Sequence, residues 1–363
     1  MIKKIYSVIA GTGSYIPPKI IRNADFLNNE FYDAQGNRID LPTEQIIKKF
    51  EEITEIKERR YVNEDQVASD IAYLAAVDAL ESSGIDKESL DYIIVAHNFG
   101  DVTYGNNQTD ILPSLASRVK EKLGIKNSRT ISYDATFGCP GWLQGVIQAN
   151  YFLKSGDAKR ALVIGTDTLS RLSDPHDRDS MIYADGAGAT ILEAVESEEP
   201  VGILAHSFRT DADGQAYNLW MGKSNNPALS GSELFIKMNG RKLYEYALKT
   251  VPQVLKESLD KAGVMLNNVK KILIHQANAK MDDAIVQRLF RLYKDIKVPK
   301  LIMPMTISQL GNSSVATVPT LLNLILKGKL EGHTLEAGNI AVLASVGAGM
   351  NINSVIYKFP NHK

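Results

Sequence analysis

The sequence predicts an α/β fold, because apolar strand-like runs alternate with helix-like segments along most of the chain. The strand-like runs are short and apolar and end at a polar residue or a glycine, as is typical of buried strands. In the first half the strand-like runs are KIYSVIAGTG, LDYIIVAHNF, RTISYDATF and RALVIGTDTL, and the helix-like segments are Asp70–Ser83, Leu112–Leu123 and Pro140–Lys154. The alternation favours largely parallel sheets.

The second half repeats this order of elements. Its strand-like runs are VGILAHSF, VKKILIHQAN and NIAVLASVGAG, and its helix-like segments are Gly240–Ala262, Met281–Tyr293 and SSVATVPTLLNLILKG. A Gly-Ala-Gly triplet stands near the end of each half, in DGAGATILEA and VGAGMNINSVIYKF. The charged run VESEEP separates the two. We therefore expect two related halves, residues 1–198 and 199–363.

One segment, Asn28–Arg60, interrupts this alternation. It is polar and charged, and DAQGNRID within it has the composition of a turn. We expect an irregular excursion on the surface.

Bulk composition excludes several classes of protein. Of the 363 residues, 44% are hydrophobic and 23% charged, a balance typical of a globular core. The net charge of −1 gives no general attraction to nucleic acid or to an anionic membrane. No run approaches the roughly 18 apolar residues of a membrane helix. One cysteine and six histidines without metal-ligand spacing predict no disulfide and no metal site. We expect a cytoplasmic protein.

The only cysteine, Cys139, lies in the stretch YDATFGCPGWLQG. Free cysteines are commonly buried and inert, and this is the simpler interpretation. The neighbours favour a nucleophile instead, because Gly138 permits a sharp turn after a strand and Pro140 suits the first turn of a helix. At a helix N-terminus, the dipole and free amides are expected to stabilise a thiolate.

Two further residues end or begin elements in the second half. His275 ends the strand-like run KILIHQAN, where α/β proteins assemble their sites, although a structural histidine is also common there. Asn312, in QLGNSS, precedes a helix, and a simple helix N-cap would explain it equally well.

Together these motifs resemble β-ketoacyl-[acyl carrier protein] synthase III, a family of condensing enzymes in the thiolase superfamily. The matching stretches, in family order, are GCPGW, LSDPHDRDSMIYADGAGATILEA, HQANAKMDDAI, LGNSSVATVP and SVGAGMNINS. The resemblance implies a duplicated five-layer αβαβα sandwich with two mainly parallel mixed sheets. It also implies a homodimer that uses Cys139, His275 and Asn312 as a catalytic triad.

The resemblance further implies a two-step reaction on thioesters without a cofactor. Cys139 would accept an acyl group from acyl-CoA or an acyl carrier protein, and a malonyl- or β-ketoacyl-carrier extender would then attack it. His275 and Asn312 would stabilise the enolate, while backbone amides of Cys139 and of Gly347–Ala348 would stabilise the acyl-transfer intermediate. Asn278 would contact substrate, and Lys280 and Arg288 would attract an acidic carrier protein.

The sequence departs from acetyl-CoA-using relatives in two places. Arg178 matches an arginine that contacts adenine in the family, but Lys49 and Ile53 stand where an adenine-stacking Trp and an Arg are usual. Leu112 aligns with an acyl-pocket phenylalanine, and the smaller side chain admits a longer or branched chain. We therefore favour a carrier-bound donor, and we expect a role in the biosynthesis of fatty acids or of a specialised lipid or aryl lipid.

Several alternatives remain open from the sequence. One is a ring-forming ketosynthase of the dialkylresorcinol type, and another is acyl transfer to a non-carbon nucleophile on the same scaffold. A degenerate acyl-binding subunit is a non-enzyme alternative, although such subunits typically lack the cysteine. Hydroxymethylglutaryl-CoA synthase is a related possibility, but no glutamate stands clearly in the position of its general base.

Overall fold

Two mixed β-sheets organise the chain, and a computed structural model describes residues 3–294 and 296–361. The strands are β1 Lys4–Tyr15, β2 Lys19–Arg22, β3 Glu58–Tyr61, β4 Tyr92–His97, β5 Ile131–Thr136, β6 Arg160–Thr168, β7 Asp185–Ser197, β8 Gly202–Thr210, β9 Leu219–Gly222, β10 Phe235–Met238, β11 Val269–Ile274, β12 Ile340–Gly347 and β13 Asn351–Lys358. The helices are α1 Thr43–Thr54, α2 Ala68–Ser83, α3 Leu115–Lys122, α4 Gly141–Ser155, α5 Gly240–Ala262, α6 Ala279–Arg291, α7 Ile307–Leu310 and α8 Thr317–Leu326.

The larger sheet has the strand order β1-β7-β6-β4-β5, and the smaller has β11-β12-β13-β8. All strands of the first sheet precede residue 198, and all strands of the second follow it. The expected mixed α/β architecture is confirmed, but the parallel share is smaller than expected. Among the strands of residues 3–294 and 296–361, only β4–β5, β4–β6 and β11–β12 pair in parallel. The reason is connectivity: β12 returns directly into β13 without a crossover helix, which forces an antiparallel pair.

Five layers stack through the molecule. Helices α4 and α8 lie between the sheets, where Trp142, Leu143, Leu321 and Leu322 pack with residues of both. Helices α2 and α3 cover the outer face of the first sheet, and α5 and α6 cover the outer face of the second. The αβαβα sandwich is therefore confirmed.

The segment Asn28–Arg60 differs from the expectation of an irregular surface excursion. It contains α1, whose Ile46, Ile47 and Phe50 are buried at helical spacing. It also contains Arg59, which is fully buried and donates to the Met181 carbonyl oxygen at 3.0 Å. Charged residues stand between the buried residues of α1, and for this reason the sequence pattern did not reveal an amphipathic helix.

The turn that carries Cys139 follows from local sequence. Gly138 adopts φ = 75°, a left-handed conformation that glycine accepts without steric cost. Pro140 then precedes the first residue of α4, where its missing N–H leaves no helical hydrogen bond unmade. The predicted strand–turn–helix is confirmed to within one residue.

Candidate active site

A cavity of about 1730 Å³ contains the sequence-predicted catalytic residues. Its wall includes Cys139 after β5, His275 after β11, and Asn312. Gly347 and Ala348, at the end of β12, line the same cavity. The residues come from both halves of the chain, and all except Asn312 lie at or just after the carboxyl end of a strand, where α/β folds place their ligands.

The two halves of the chain meet near Cys139 at two glycines, Gly138 and Gly347, which have no side chain to separate the backbones. A Cβ atom on Gly347 would lie 2.7 Å from the Cys139 amide nitrogen and 2.8 Å from its Cβ. A Cβ on Gly138 would lie 3.1 Å from the Ala348 nitrogen. Neither position leaves room for a larger residue, so the amides of this contact are held close to the sulfur.

The protonation of Cys139 differs from the expected stabilised thiolate. Burial raises the pKa of the Cys139 thiol to about 11. The Ser314 hydroxyl and the backbone amides of Cys139 and Ala348 oppose this rise, whereas the carboxylate of Asp167 adds to it. Cys139 as a whole is half-buried, and enclosure of its sulfur favours the neutral thiol over the thiolate that the helix N-terminus would stabilise.

His275 is only 3% exposed and its amide donates to the Ala344 carbonyl at 2.9 Å. Burial lowers the pKa of its imidazole to about 4, so His275 is neutral at physiological pH. Its Nδ1 is buried without a hydrogen-bond partner. A neutral imidazole can donate from one nitrogen and accept at the other.

Asn312 is fixed by three hydrogen bonds. Its amide donates to the Ile182 carbonyl at 2.9 Å, and its own carbonyl accepts from Ala184 at 2.8 Å. Its side-chain Oδ1 accepts from the Ser314 amide at 2.8 Å. This last bond closes a turn to the residue two positions on, whereas the N-cap of the short helix Ser314–Ala316 is Ser313, so Asn312 is not a helix N-cap. The bond does not use Nδ2 of Asn312.

Comparisons with known proteins identify the family of the chain. Models of "3-Oxoacyl-[acyl-carrier-protein (ACP)] synthase III" and of its C-terminal domain match residues 133–212 and 259–359. Beta-ketoacyl-[acyl-carrier-protein] synthase III of Staphylococcus saprophyticus is 30% identical over 97% of this chain and 98% of its own length. The protein of that name from Xanthomonas euvesicatoria is 31% identical over 99% of this chain and 100% of its own. The chain belongs to the β-ketoacyl-[acyl-carrier-protein] synthase III family.

Solved structures show the same fold. The 3-oxoacyl-[acyl-carrier-protein] synthase III of Aquifex aeolicus superposes with a TM-score of 0.77 at 28% identity, covering 97% of this chain and 100% of its own. The priming β-ketosynthase of the R1128 polyketide pathway has a TM-score of 0.79 at 23% identity, covering 99% of this chain and 98% of its own. The chain is an enzyme of the synthase III type.

Helix α1 and the β9–β10 hairpin form the rim of the cavity. The predicted substrate contacts Arg178 and Asn278 line the cavity, and so do Lys49 and Ile53, the two positions of the expected departure from acetyl-CoA-using relatives. The Arg178 side chain is 62% exposed. Asn278 caps α6, since its side chain accepts from the Met281 amide at 3.1 Å.

A buried ion cluster holds one side of the rim. Lys237 in β10 donates to Asp174 at 2.6 Å, to Asp177 at 3.1 Å and to Asn225 at 2.7 Å. Because Asp174 and Lys237 are almost inaccessible to solvent, this contact ties the β9–β10 hairpin firmly to the 174–178 loop.

Three predicted residues lie away from the cavity of the single chain. Leu112 is 87% exposed and does not line it. Lys280 and Arg288 lie exposed on α6, outside the lining. Arg288 donates to the Leu248 carbonyl at 3.2 Å, so part of its side chain serves the packing of α6 on α5.

Sequence reasoning missed a polar group behind the cysteine. Asn98, Ser314 and Asp167 form a hydrogen-bonded chain to the sulfur. Asn98 and Asp167 follow or end strands β4 and β6, so the strand-end rule that identified His275 could have found them. The Tyr183 hydroxyl, in the same wall, is buried without a partner.

No helix in the described ranges 3–294 and 296–361 is long and apolar enough to cross a membrane. Within the same residues, no group of three or more His, Cys, Asp or Glu side chains is arranged to hold a metal ion.

Proposed function

We propose that this enzyme condenses an acyl group, loaded on Cys139, with a malonyl- or β-ketoacyl-[acyl carrier protein] to form a carbon–carbon bond. The observation that carries the proposal is the meeting of Cys139, His275 and Asn312 in one cavity. The relatives are named as synthases acting on acyl carrier protein, which supports a carrier-bound extender.

In the first step the Cys139 sulfur attacks the thioester carbonyl. The thiol must lose its proton, and the neutral imidazole of His275 is a base available in the same cavity. The amides of Cys139 and of the Gly347–Ala348 loop donate to the oxyanion of the tetrahedral intermediate. The carbon–sulfur bond of the donor then breaks, and its thiol leaves with a proton.

In the second step the extender becomes an enolate, because a malonyl group loses CO₂ or a β-ketoacyl group gives up a carbon-bound proton to water, and water later reprotonates the departing Cys139 thiolate. His275 Nε2–H and Asn312 Nδ2 donate hydrogen bonds to the enolate oxygen. The low pKa of His275 supports this role, because a neutral imidazole keeps the proton it donates. The enolate carbon attacks the acyl carbon, and the Cys139 thiolate leaves. The thioester already activates the acyl group, so the reaction needs no cofactor or metal.

The cavity supports a long or bulky acyl chain. Its volume of about 1730 Å³ exceeds the roughly 300–1,000 Å³ of ordinary small-molecule pockets. Arg178 and Asn278 contact the donor at the rim, while Lys280 and Arg288 on exposed α6 attract the acidic carrier protein. This volume also favours the second candidate, a ring-forming ketosynthase that joins two acyl chains.

We propose that the enzyme is a cytoplasmic homodimer. Strand β5 is an edge of its sheet, and its Ile131 is 51% exposed. An unpaired edge with exposed apolar residues is a common site of pairing with a second copy. Leu112 would be covered there as well. A reducing compartment keeps the Cys139 thiol available as a nucleophile.

Mass spectrometry of the intact protein tests the proposal. Wild-type enzyme is incubated with acetyl-, octanoyl- and longer acyl thioesters of CoA and of acyl carrier protein, and the mass added is read. We expect preferential loading by a longer, carrier-bound chain and no loading of Cys139→Ala. An adduct that survives in Cys139→Ala contradicts the nucleophile, and preference for acetyl-CoA contradicts the donor.

A further inference from the structure

Ser314 contacts all three of the proposed catalytic residues. Its hydroxyl donates to the Cys139 sulfur at 3.2 Å, and its amide donates to Asn312 Oδ1 at 2.8 Å. The Ser314 backbone forms a hydrogen bond to the imidazole of His275, and this bond raises the pKa of His275 against the lowering by burial. Ser314 itself is only 3% exposed.

Two residues from the first half fix the direction of the Ser314 hydroxyl. Asn98 Nδ2 donates to Asp167 Oδ2 at 2.5 Å and to Ser314 Oγ at 2.9 Å. The Asn98 amide donates to the other oxygen of Asp167 at 2.9 Å. Because an ionised carboxylate only accepts, Asp167 holds the NH₂ group of Asn98 in this orientation. Ser314 Oγ therefore accepts from Asn98, and its own proton is available to the Cys139 sulfur at 3.2 Å, with the Asp167 carboxylate as a competing acceptor.

The backbone conformation of Ser314 indicates that its hydroxyl group is needed. Ser314 has φ = 53°, in the left-handed region that glycine occupies freely and other residues occupy at a cost of about 1 kcal/mol. A glycine would preserve both backbone contacts without that cost. The hydroxyl is the part of serine that a glycine cannot replace, and strain retained at a site of this kind points to function.

We propose that Ser314 is a further catalytic residue, whose hydroxyl hydrogen-bonds to the Cys139 sulfur and stabilises the thiolate. The thiolate occurs twice in the reaction: when the sulfur attacks the donor, and when it leaves the acyl carbon during condensation. Asn98 and Asp167 are positioning residues that act through Ser314. This inference rests on the proposed function of Cys139 as nucleophile.

The charged and titratable groups around the sulfur bear on its protonation as well. Asp167 in β6 disfavours the thiolate by charge, and His275 after β11 is neutral. Tyr183 before β7 also lies close enough to interact with a Cys139 thiolate. A test must therefore remove the Ser314 hydroxyl and leave these groups in place.

The variant Ser314→Gly does this, because glycine accepts φ = 53° and keeps the backbone contacts. The rate of Cys139 alkylation by iodoacetamide is measured against pH in wild type and variant. We expect the midpoint of the variant to rise by about one pH unit, since a hydrogen bond to a charged group is worth roughly that much. At pH 7 alkylation should slow about 3- to 10-fold, the smaller value arising because a more basic thiolate is also more nucleophilic.

The matched control is Ser313→Ala. Ser313 is the adjacent buried serine, and its hydroxyl pairs with Thr317 at 3.3 Å rather than with the sulfur. Its alkylation profile should equal that of wild type. Ser314→Ala, a second variant without the hydroxyl, should shift in the same direction as Ser314→Gly and guards against misfolding of either one.

The outcomes separate the two proposals. If Ser314→Gly and Ser314→Ala keep the wild-type profile, or if Ser313→Ala shifts equally, the role of the Ser314 hydroxyl is wrong while acyl loading of Cys139 still stands. If the Ser314 variants slow alkylation of Cys139 as expected but wild-type Cys139 accepts no acyl group, the proposed function is wrong. The proposed hydrogen bond from Ser314 to the sulfur then still stands. Thermal melting of each variant confirms that the folded protein was compared.

Discussion

The floor and the rim of the cavity are built in different ways. The floor consists of Cys139 and His275, which follow sheet strands, and of Asn312 and Ser314, which lie between α7 and α8. Backbone hydrogen bonds hold His275 to β12 and Asn312 to the segment before β7. The rim, helix α1 and the β9–β10 hairpin, lies outside both sheets, and side chains such as Lys237 attach it. We therefore expect the sheets to constrain the proposed catalytic residues more tightly than the segments proposed to select the substrate.

Removing the Asn312 side chain should give the largest effect and confine it to the floor. In Asn312→Ala we expect condensation to slow about 100- to 1000-fold, because one enolate donor is lost. Acyl loading of Cys139 should persist. Both half-reactions are followed on one sample, loading by intact mass and condensation by product formation. Equal loss of both would show that Asn312 supports the architecture of the floor and not one step.

Cutting the ion cluster should loosen the rim and leave the floor unchanged. Lys237→Met leaves the buried carboxylate of Asp174 without its cation, which should cost about 3 kcal/mol of unfolding free energy. Denaturant unfolding measures it, with Lys256→Met as control, since the exposed Lys256–Asp260 pair should contribute far less to stability than the buried one. A slower alkylation of Cys139 in folded Lys237→Met would mean that rim and floor are coupled.

The neutral state of His275 should make the floor sensitive to acid. Its pKa is about 4 in the folded chain and about 6.5 unfolded, so the unfolded chain binds more protons between these values. Stability from this residue is therefore lost as pH falls from 6.5 to 4, by about 3 kcal/mol in all. Asp167 and Asp185, whose pKa values burial raises to about 6, act in the opposite direction.

The measurement is therefore the difference between wild type and His275→Gln, from urea unfolding at pH 7 and at pH 4.5. The carboxyl groups contribute equally to both proteins and cancel. The variant should lose less stability than wild type on acidification. An identical loss would show that His275 becomes protonated without unfolding, and that the floor is open to water.

The smallest effect on the free energy of unfolding is expected at Tyr183, which lines the cavity. Because its hydroxyl is buried without a partner, Tyr183→Phe should leave the unfolding free energy unchanged or raise it slightly. The matched control is Tyr246→Phe, whose hydroxyl donates to Asp211 at 2.9 Å and should cost about 1 kcal/mol. A comparable loss at Tyr183 would indicate that its hydroxyl is hydrogen-bonded in solution.

The sequence was sufficient for features that depend on neighbouring residues. The turn at Gly138-Cys139-Pro140 and the helix Gly240–Ala262 were predicted because their signals are local. The raised pKa of Cys139 was not, because it depends on enclosure by residues far along the chain, among them Asp167. Ser314 was missed for a related reason: QLGNSS does not show which serine has a left-handed backbone or faces the sulfur. Helix α1 was missed because its buried residues stand among charges.

The contact of Gly347 with Cys139 also constrains how such enzymes can be recombined. The two halves touch there with less space than one methyl group occupies. A chimera that joins one half to the matching half of a relative must reproduce this spacing to a fraction of an ångström. Whether such a chimera folds should therefore depend more on residues 138–139 and 347–348 than on the surface loops.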